Sequence, residues 1–284
     1  MIKNFDLTGW TCFSERRNSK SYMSPDKKWM VKFGTEFAEA TLPMLEHEME
    51  VTKKAIEVGV KTPKVDDIIE LPSGELGLIY EYIEGKKSIA RAAGEDTDNI
   101  DYYMKRFARI SKDLHSKVCD PNKFESVEER VREQIKKRDI LTESQKEKAY
   151  KLLDSIEKKY TCIHGDFQTG NFIMAGDNEF AIDLGAIAYG NPDYDVACFY
   201  YFCHYFPPFV TDKIFHCDQK YLPLMWRSFI KYYYNTTDEK VLDEITKKNA
   251  KYALVCFFGQ LKHVEPGPEI NDTMEKYFDK EFAD

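Results

Sequence analysis

Residues 164–171 read His-Gly-Asp-Phe-Gln-Thr-Gly-Asn, and Asp183 of Ile182-Asp183-Leu184-Gly185 follows Asn171 by twelve positions. These residue types suit the handling of a phosphate group. Phosphoryl transfer asks a protein for little covalent chemistry. It asks that the attacking oxygen be aimed, that Mg2+ sit on the phosphates, and that cations face the spreading negative charge. Asp166 can accept a hydrogen bond from a substrate hydroxyl and direct its oxygen at the γ-phosphate of ATP. Asn171 offers a neutral carbonyl oxygen and Asp183 a carboxylate, the hard donors that Mg2+ prefers. Gly165 and Gly170 relax the backbone where the loop turns. Any one of these residues alone on a loop reads as a turn or cap residue. Together, between strands, they read as a site.

The elements that must hold them are legible around the loop. Thr161–Ile163 and Phe172–Met174 are short apolar runs, a Gly176-Asp177-Asn178 turn follows, and Glu179–Asp183 completes a β island. Residues 1–83 read as β-rich with one helix. Trp10-Thr11-Cys12-Phe13 and Lys27–Phe33 are strands, 45–60 is a helix with Leu45, Met49, Thr52, Ile56 and Val60 on one face, and two strands flank Pro72-Ser73-Gly74. From about residue 98 the chain reads as mainly helical. Ile100, Tyr103, Phe107, Ile110 and Leu114 recur at helical spacing. The segments 124–139 and 146–160 are charged amphipathic helices whose Lys and Glu runs read as solvated faces. The expected organisation is a small N-lobe, residues 1–83, and a larger helical C-lobe, residues 84–284. The connector lies near 80–88, and a small-molecule site is expected in the cleft.

Composition narrows the function. Forty-one Lys and Arg against forty-nine Asp and Glu give a net charge of −8, which argues against a nucleic-acid partner. The apolar run 196–206 is too short to span a bilayer and reads as a buried helix, so no membrane partner is expected. The N-terminus carries no signal-peptide pattern. Seven scattered cysteines without a C-x-x-C read as reduced thiols of a cytoplasmic protein.

Asp166 and Asn171 keep the D-x-x-x-x-N spacing of the protein-kinase loop H-R-D-x-x-x-x-N, and Asp183-Leu184-Gly185 stands where D-F-G would stand. With Gly190-Asn-Pro-Asp-Tyr-Asp-Val-Ala-Cys-Phe199 after it, the whole resembles the aminoglycoside phosphotransferase family. That family is a branch of the protein-kinase-like superfamily related to choline and ethanolamine kinases. Gly165 in place of the kinase arginine, and no A-P-E after Asp183, set the chain apart from protein kinases. The resemblance runs from about residue 10 to 205. It implies an α+β, protein-kinase-like two-lobe fold. Asp166 becomes the catalytic residue, Asn171 and Asp183 the metal ligands, and His164 and Asp195 braces of the loop. It further implies that Lys32 meets the α- and β-phosphates and pairs with Glu48, with Glu46 as the alternative. Asn18, Ser19 and Lys20 would lie on the phosphate-covering loop, and the backbone from Glu81 to Ile83 would meet adenine.

The expected activity is therefore an ATP- and Mg2+-dependent kinase acting on a hydroxyl of a small, amine-bearing molecule. The alternative is a catalytically silent nucleotide-binding regulatory module of the same fold. HGD leans away from choline kinases, which more often read His-Asn-Asp, and Phe167 stands where fructosamine kinases usually carry Trp. The helices after residue 195 would set the acceptor and carry no readable signal for it.

Overall fold

The computed structural model describes residues 3–15, 19–35, 38–206, 214–262 and 267–283. The chain divides into two units, Met1–Lys86 with Met174–Gly185, and Lys87–Ile173 with Ala186–Asp284.

The first unit is built on a six-stranded sheet of β1 (Lys3–Asn4), β2 (Thr11–Glu15), β3 (Lys20–Met23), β4 (Trp29–Phe33), β5 (Val65–Glu70) and β6 (Leu76–Glu81), in the order β1-β5-β6-β4-β3-β2. The β1–β5 pair is parallel and the others are antiparallel. Strand period two decides what β4 does. Val31 and Phe33 join Ile69 and Ile79 in one apolar cluster. Met30 and Lys32 point to the opposite face, where they stand across from Tyr80 and Leu78 of β6. That second face carries Leu45, Val65, Ile68 and Leu78. Lys32 therefore emerges beside helix α1 (Leu42–Glu57). Gly77 is required here, since a side chain on it would begin 2.6 Å from the Phe33 ring.

Helix α1 starts three residues before the predicted Leu45 because Pro43 fits the first turn behind an extended Thr41. It stops before Gly59, which has φ +88°. Its buried residues are Leu45, Val51, Thr52 and Ala55, so the face is rotated from the predicted one toward smaller side chains.

The second unit contains β7 (Lys87–Ser88) and helices α2 (Ile89–Glu95), α3 (Ile100–His115), α4 (Val127–Lys137) and α5 (Glu143–Ser155). Strand β8 (Thr161–Ile163) leads into the Asp166 loop. The hairpin of β9 (Phe172–Ala175) and β10 (Asn178–Ala181) then carries the chain into the first unit as far as Gly185. Back in the second unit, β11 (Ala188–Gly190) pairs antiparallel with β8. Helices α6 (Asp193–His204), α7 (Leu222–Tyr233), α8 (Glu239–Cys256) and α9 (Pro268–Glu281) follow. The architecture is α+β, with the sheet early and the helices late. α6 is the buried helix expected from 196–206, and among the described residues no helix is long and apolar enough to cross a membrane.

The core of this unit is a set of rings packed tilted or edge-on around Phe107. Phe107 of α3 lies 4.9 Å from Phe167, 5.0 Å from Phe172, 5.1 Å from Phe199 and 4.9 Å from Phe229, centroid to centroid. Phe167 is the residue after Asp166, so the same loop that exposes a carboxylate drives an aromatic anchor into the core. Phe167→Ala is expected to cost about 3–5 kcal/mol of stability, read as a lower urea midpoint at unchanged slope.

Two expectations need correction. Cys119 and Cys162 form a disulfide, with Cα atoms 5.3 Å apart. The chain leaving α3 runs beside β8, with Cys119 N–H donating to the Tyr160 carbonyl at 2.8 Å and Cys162 N–H to that of Lys117 at 3.0 Å. Spacing along the sequence does not report that neighbourhood, and the compartment inferred from reduced thiols loses this premise. The charge run of α4 is not all solvated face either, because Arg130 and Gln134 are buried within it.

Candidate active site

In the second unit, Asp195 organises the loop that ends β8. It is 1% exposed. Its Oδ2 accepts the His164 backbone N–H at 2.7 Å and His115 Nε2 at 3.0 Å, and its Oδ1 accepts the Gly165 N–H at 3.0 Å. His115 donates to this carboxylate through Nε2, and its Nδ1 is hydrogen-bonded to the Tyr233 hydroxyl at 2.7 Å. Burial pushes the Tyr233 phenol up, which keeps it a donor. His164 is fully buried, and its ring Nδ1 receives the Asp166 N–H at 3.3 Å. That ring nitrogen is an acceptor and therefore carries no proton. His164 ties the turn through that bond.

Beyond this frame Asp166 is half-buried, and Asn171 binds it twice. Nδ2 of Asn171 donates to the Asp166 carbonyl at 2.9 Å and to Oδ2 at 2.7 Å. Gln168 closes the loop between them, its side-chain oxygen taking the Gly170 N–H at 2.7 Å and its carbonyl the Asn171 N–H at 3.0 Å. One carboxylate is thus held at a fixed angle, and the amide that holds it keeps its oxygen as a donor of the type a hard cation takes.

In the first unit, Lys32, Asp183, Glu48 and Tyr80 gather on the α1 face of the sheet. Lys32 Nζ makes its ion pair with Asp183, and Tyr80 donates its hydroxyl to Glu48. Asp183 and Glu48 thus each have a donor in this group, Lys32 for the one and Tyr80 for the other. Desolvation, with Glu48 and Asp183 close by, holds the Tyr80 phenol well above its usual value. Asp183 has φ +58°, a left-handed conformation that aspartate tolerates better than most residues. His47 of α1 secures the turn after it, with Nε2 3.0 Å from the Gly185 carbonyl. Glu46, the alternative to Glu48, is exposed.

The remaining expected contacts are local. Lys20 opens β3 and is paired with Glu15, which faces it on β2, at 2.9 Å, and that hydrogen bond raises its pKa. Ser19 precedes it, half-buried, and Asn18 lies outside the described residues. Glu81 ends β6, exchanging backbone and side-chain bonds with Lys64 at 2.8 and 3.2 Å, and Ile83 follows it half-buried. Tyr80 and His47 were not anticipated. The period-two register that places Lys32 on the α1 face also places Tyr80 there, and could have found it.

Residues 17–223 match the model of the phosphotransferase enzyme family. No curated protein sequence matches the chain. Among solved structures it is similar to a Plasmodium vivax ethanolamine kinase, with 13% identity and a TM-score of 0.59 over 96% of this chain and 82% of that one. It is similar also to a thermostable mutant of the aminoglycoside phosphotransferase APH(4)-Ia in a ternary complex with ADP and hygromycin B, with 9% identity and a TM-score of 0.58 over 97% and 94%. A third is the GDP and kanamycin complex of APH(2")-IIIa, with 14% identity and a TM-score of 0.53 over 98% and 94%. At these identities the likeness is one of fold, and that fold is kinase-like.

Proposed function

Because the chain belongs to the phosphotransferase enzyme family, we propose that it moves the γ-phosphate of ATP, with Mg2+, to a hydroxyl of a small amine-bearing molecule. The observation that carries this reading is the restraint of Asp166 by Asn171 on a loop braced by Asp195. A carboxylate so held is suited to accept the hydrogen of an acceptor hydroxyl and to fix the direction of attack, which is most of what phosphoryl transfer requires. Lys32 supplies the cation for the α- and β-phosphates, with its Asp183 ion pair and Glu48 of α1 to set its position. The backbone from Glu81 to Ile83 takes adenine, and Ser19 and Lys20 border the phosphates.

Magnesium is a matter of donor chemistry. Among the described residues no cluster of three His, Cys, Asp or Glu could hold a metal. Mg2+ with a nucleotide needs no such cluster, because it is held by one or two protein oxygens with phosphates and water completing the shell. Asn171 and Asp183 offer those oxygens and would hold it. When bound, the ion would neutralise charge on the phosphates. The amine on the acceptor is supported by the company the fold keeps, since kanamycin, hygromycin B and ethanolamine each carry amines and hydroxyls.

The test is ADP release from Mg-ATP against aminoglycosides, choline, ethanolamine, homoserine and sugar amines, with Asp166→Ala as control. Release with at least one acceptor, lost in the variant, is the expected result. Thermal stabilisation by Mg-ATP without release to any acceptor would replace the kinase by a silent nucleotide-binding module. Neither response would remove both.

A further inference from the structure

The protein-kinase loop H-R-D carries an arginine where this chain has Gly165. The structure gives the reason no side chain fits. Gly165 has φ +80°, and a Cβ on it would stand 2.1 Å from the Ala186 carbonyl oxygen and 2.8 Å from Nη1 of Arg130. The space is already filled by a guanidinium delivered from α4. Arg130 Nη1 donates to the Ala186 carbonyl at 2.8 Å, and Nη2 is paired with Glu125, which Lys262 also binds. Arg130 is 2% exposed, and among the described residues its Nε has no hydrogen-bond partner. A buried guanidinium with one donor unspent is costly. A surface-helix arginine of a charge run would ordinarily turn to solvent, and this one does not.

Gly165 is consequently held from three sides. Its N–H goes to Asp195 at 3.0 Å, its carbonyl receives Nε2 of Gln260, and the space a Cβ would take is filled by the Ala186 carbonyl and the Arg130 fork. Asp195 and Gln260 fix the peptide groups. They leave the turn free to relax toward Ala186 unless that carbonyl is itself tied. We infer that Arg130 is a positioning residue for Asp166. By clamping Ala186 against Gly165 it sets the backbone from which the Asp166 carboxylate projects, without touching substrate. The planar fork is needed because one group must meet a carbonyl and a carboxylate at once, which an ammonium on a flexible stem does poorly.

The experiment has a structural and a kinetic arm, and only the second rests on the phosphotransfer reading. Hydrogen exchange of the full chain is followed by mass spectrometry over residues 161–171 for wild type, Arg130→Ala and Arg130→Lys. Guanidinium chloride is added to parallel samples far below its denaturing range. Arg130→Ala is expected to speed exchange in this segment by about tenfold while α7 and α8 are unchanged. Guanidinium should reverse the change, and urea should not. With the best acceptor from the panel, kcat is expected to fall about 100-fold at unchanged KM for Mg-ATP, the cost of a carboxylate displaced by about 1 Å. Guanidinium should restore part of it.

Arg130→Lys, which keeps the charge and the fold, should remain impaired and unrescued. Wild-type exchange and kcat in Arg130→Lys would overturn the inference. So would faster exchange spread evenly over the unit in Arg130→Ala with no response to guanidinium, because that is general destabilisation. If wild type transfers phosphate to no acceptor, the functional reading falls and the exchange data still decide the role of Arg130.

Discussion

Asp166→Ala is expected to abolish phosphate transfer while Mg-ATP still raises the melting temperature as it does for wild type. Asp166→Asn makes the same point with less disturbance. Asn171 holds residue 166 through two acceptors, the backbone carbonyl and Oδ2. An asparagine keeps the carbonyl and retains one side-chain oxygen for the second bond, so the loop closes as before. What it loses is the negative charge and the ability to take the hydroxyl hydrogen. Loss of a positioned proton acceptor typically costs about 10²–10⁴-fold in kcat. The nucleotide contacts proposed for Ser19, Lys20, Lys32 and the backbone from Glu81 to Ile83 belong to residues of the first unit. The measurement is kcat and KM for each substrate beside nucleotide-induced stabilisation. Transfer at the wild-type rate in Asp166→Asn would show that another group aims the acceptor. A parallel loss of nucleotide stabilisation would mean that the substitution reached beyond the carboxylate.

Much of this site was legible because its information is local. A five-residue spacing from Asp166 to Asn171 on a glycine-flanked loop is close to a geometric statement, since so short a turn leaves few ways for the two side chains to miss each other. The face of Lys32 follows from the period of a strand, and the α+β order follows from the change of period along the chain. What stayed hidden depends on neighbours distant in sequence. Lys32 meets Asp183, 151 residues away, and no local spacing reports that contact. Arg130 sits in Val127–Lys137, where seven of the eleven residues are charged, and nothing in that run marks the one that turns inward. Cys119 and Cys162 meet because β8 lies alongside the exit of α3. The helices after Asp195 are unreadable for another reason. α6 is buried on nearly every side, so it has no polar face whose position could report where an acceptor would lie.

The largest effect on stability is expected at Asp195, where loop geometry and folding energy come from the same atoms. Three N–H donors converge on one carboxylate that is 1% exposed, two from the backbone of His164 and Gly165 and one from the His115 ring. An asparagine has the same shape but a single acceptor. Whichever way its amide is turned, its NH2 faces at least one of those donors, and a buried N–H is left without a partner. Removing one member of a buried charged network commonly costs about 3–5 kcal/mol, and Asp195→Asn is expected in that range. For a unit of this size the melting temperature should drop by on the order of 10 °C. His115→Gln tests the argument from the other side. With the ring gone, Asp195 still accepts both backbone donors, so the loss should be smaller, and the double variant should cost less than the sum of the two. Strict additivity in that cycle would mean that His115 and Asp195 are not one network. The loop would then owe its shape to the ring core and the Arg130 clamp instead.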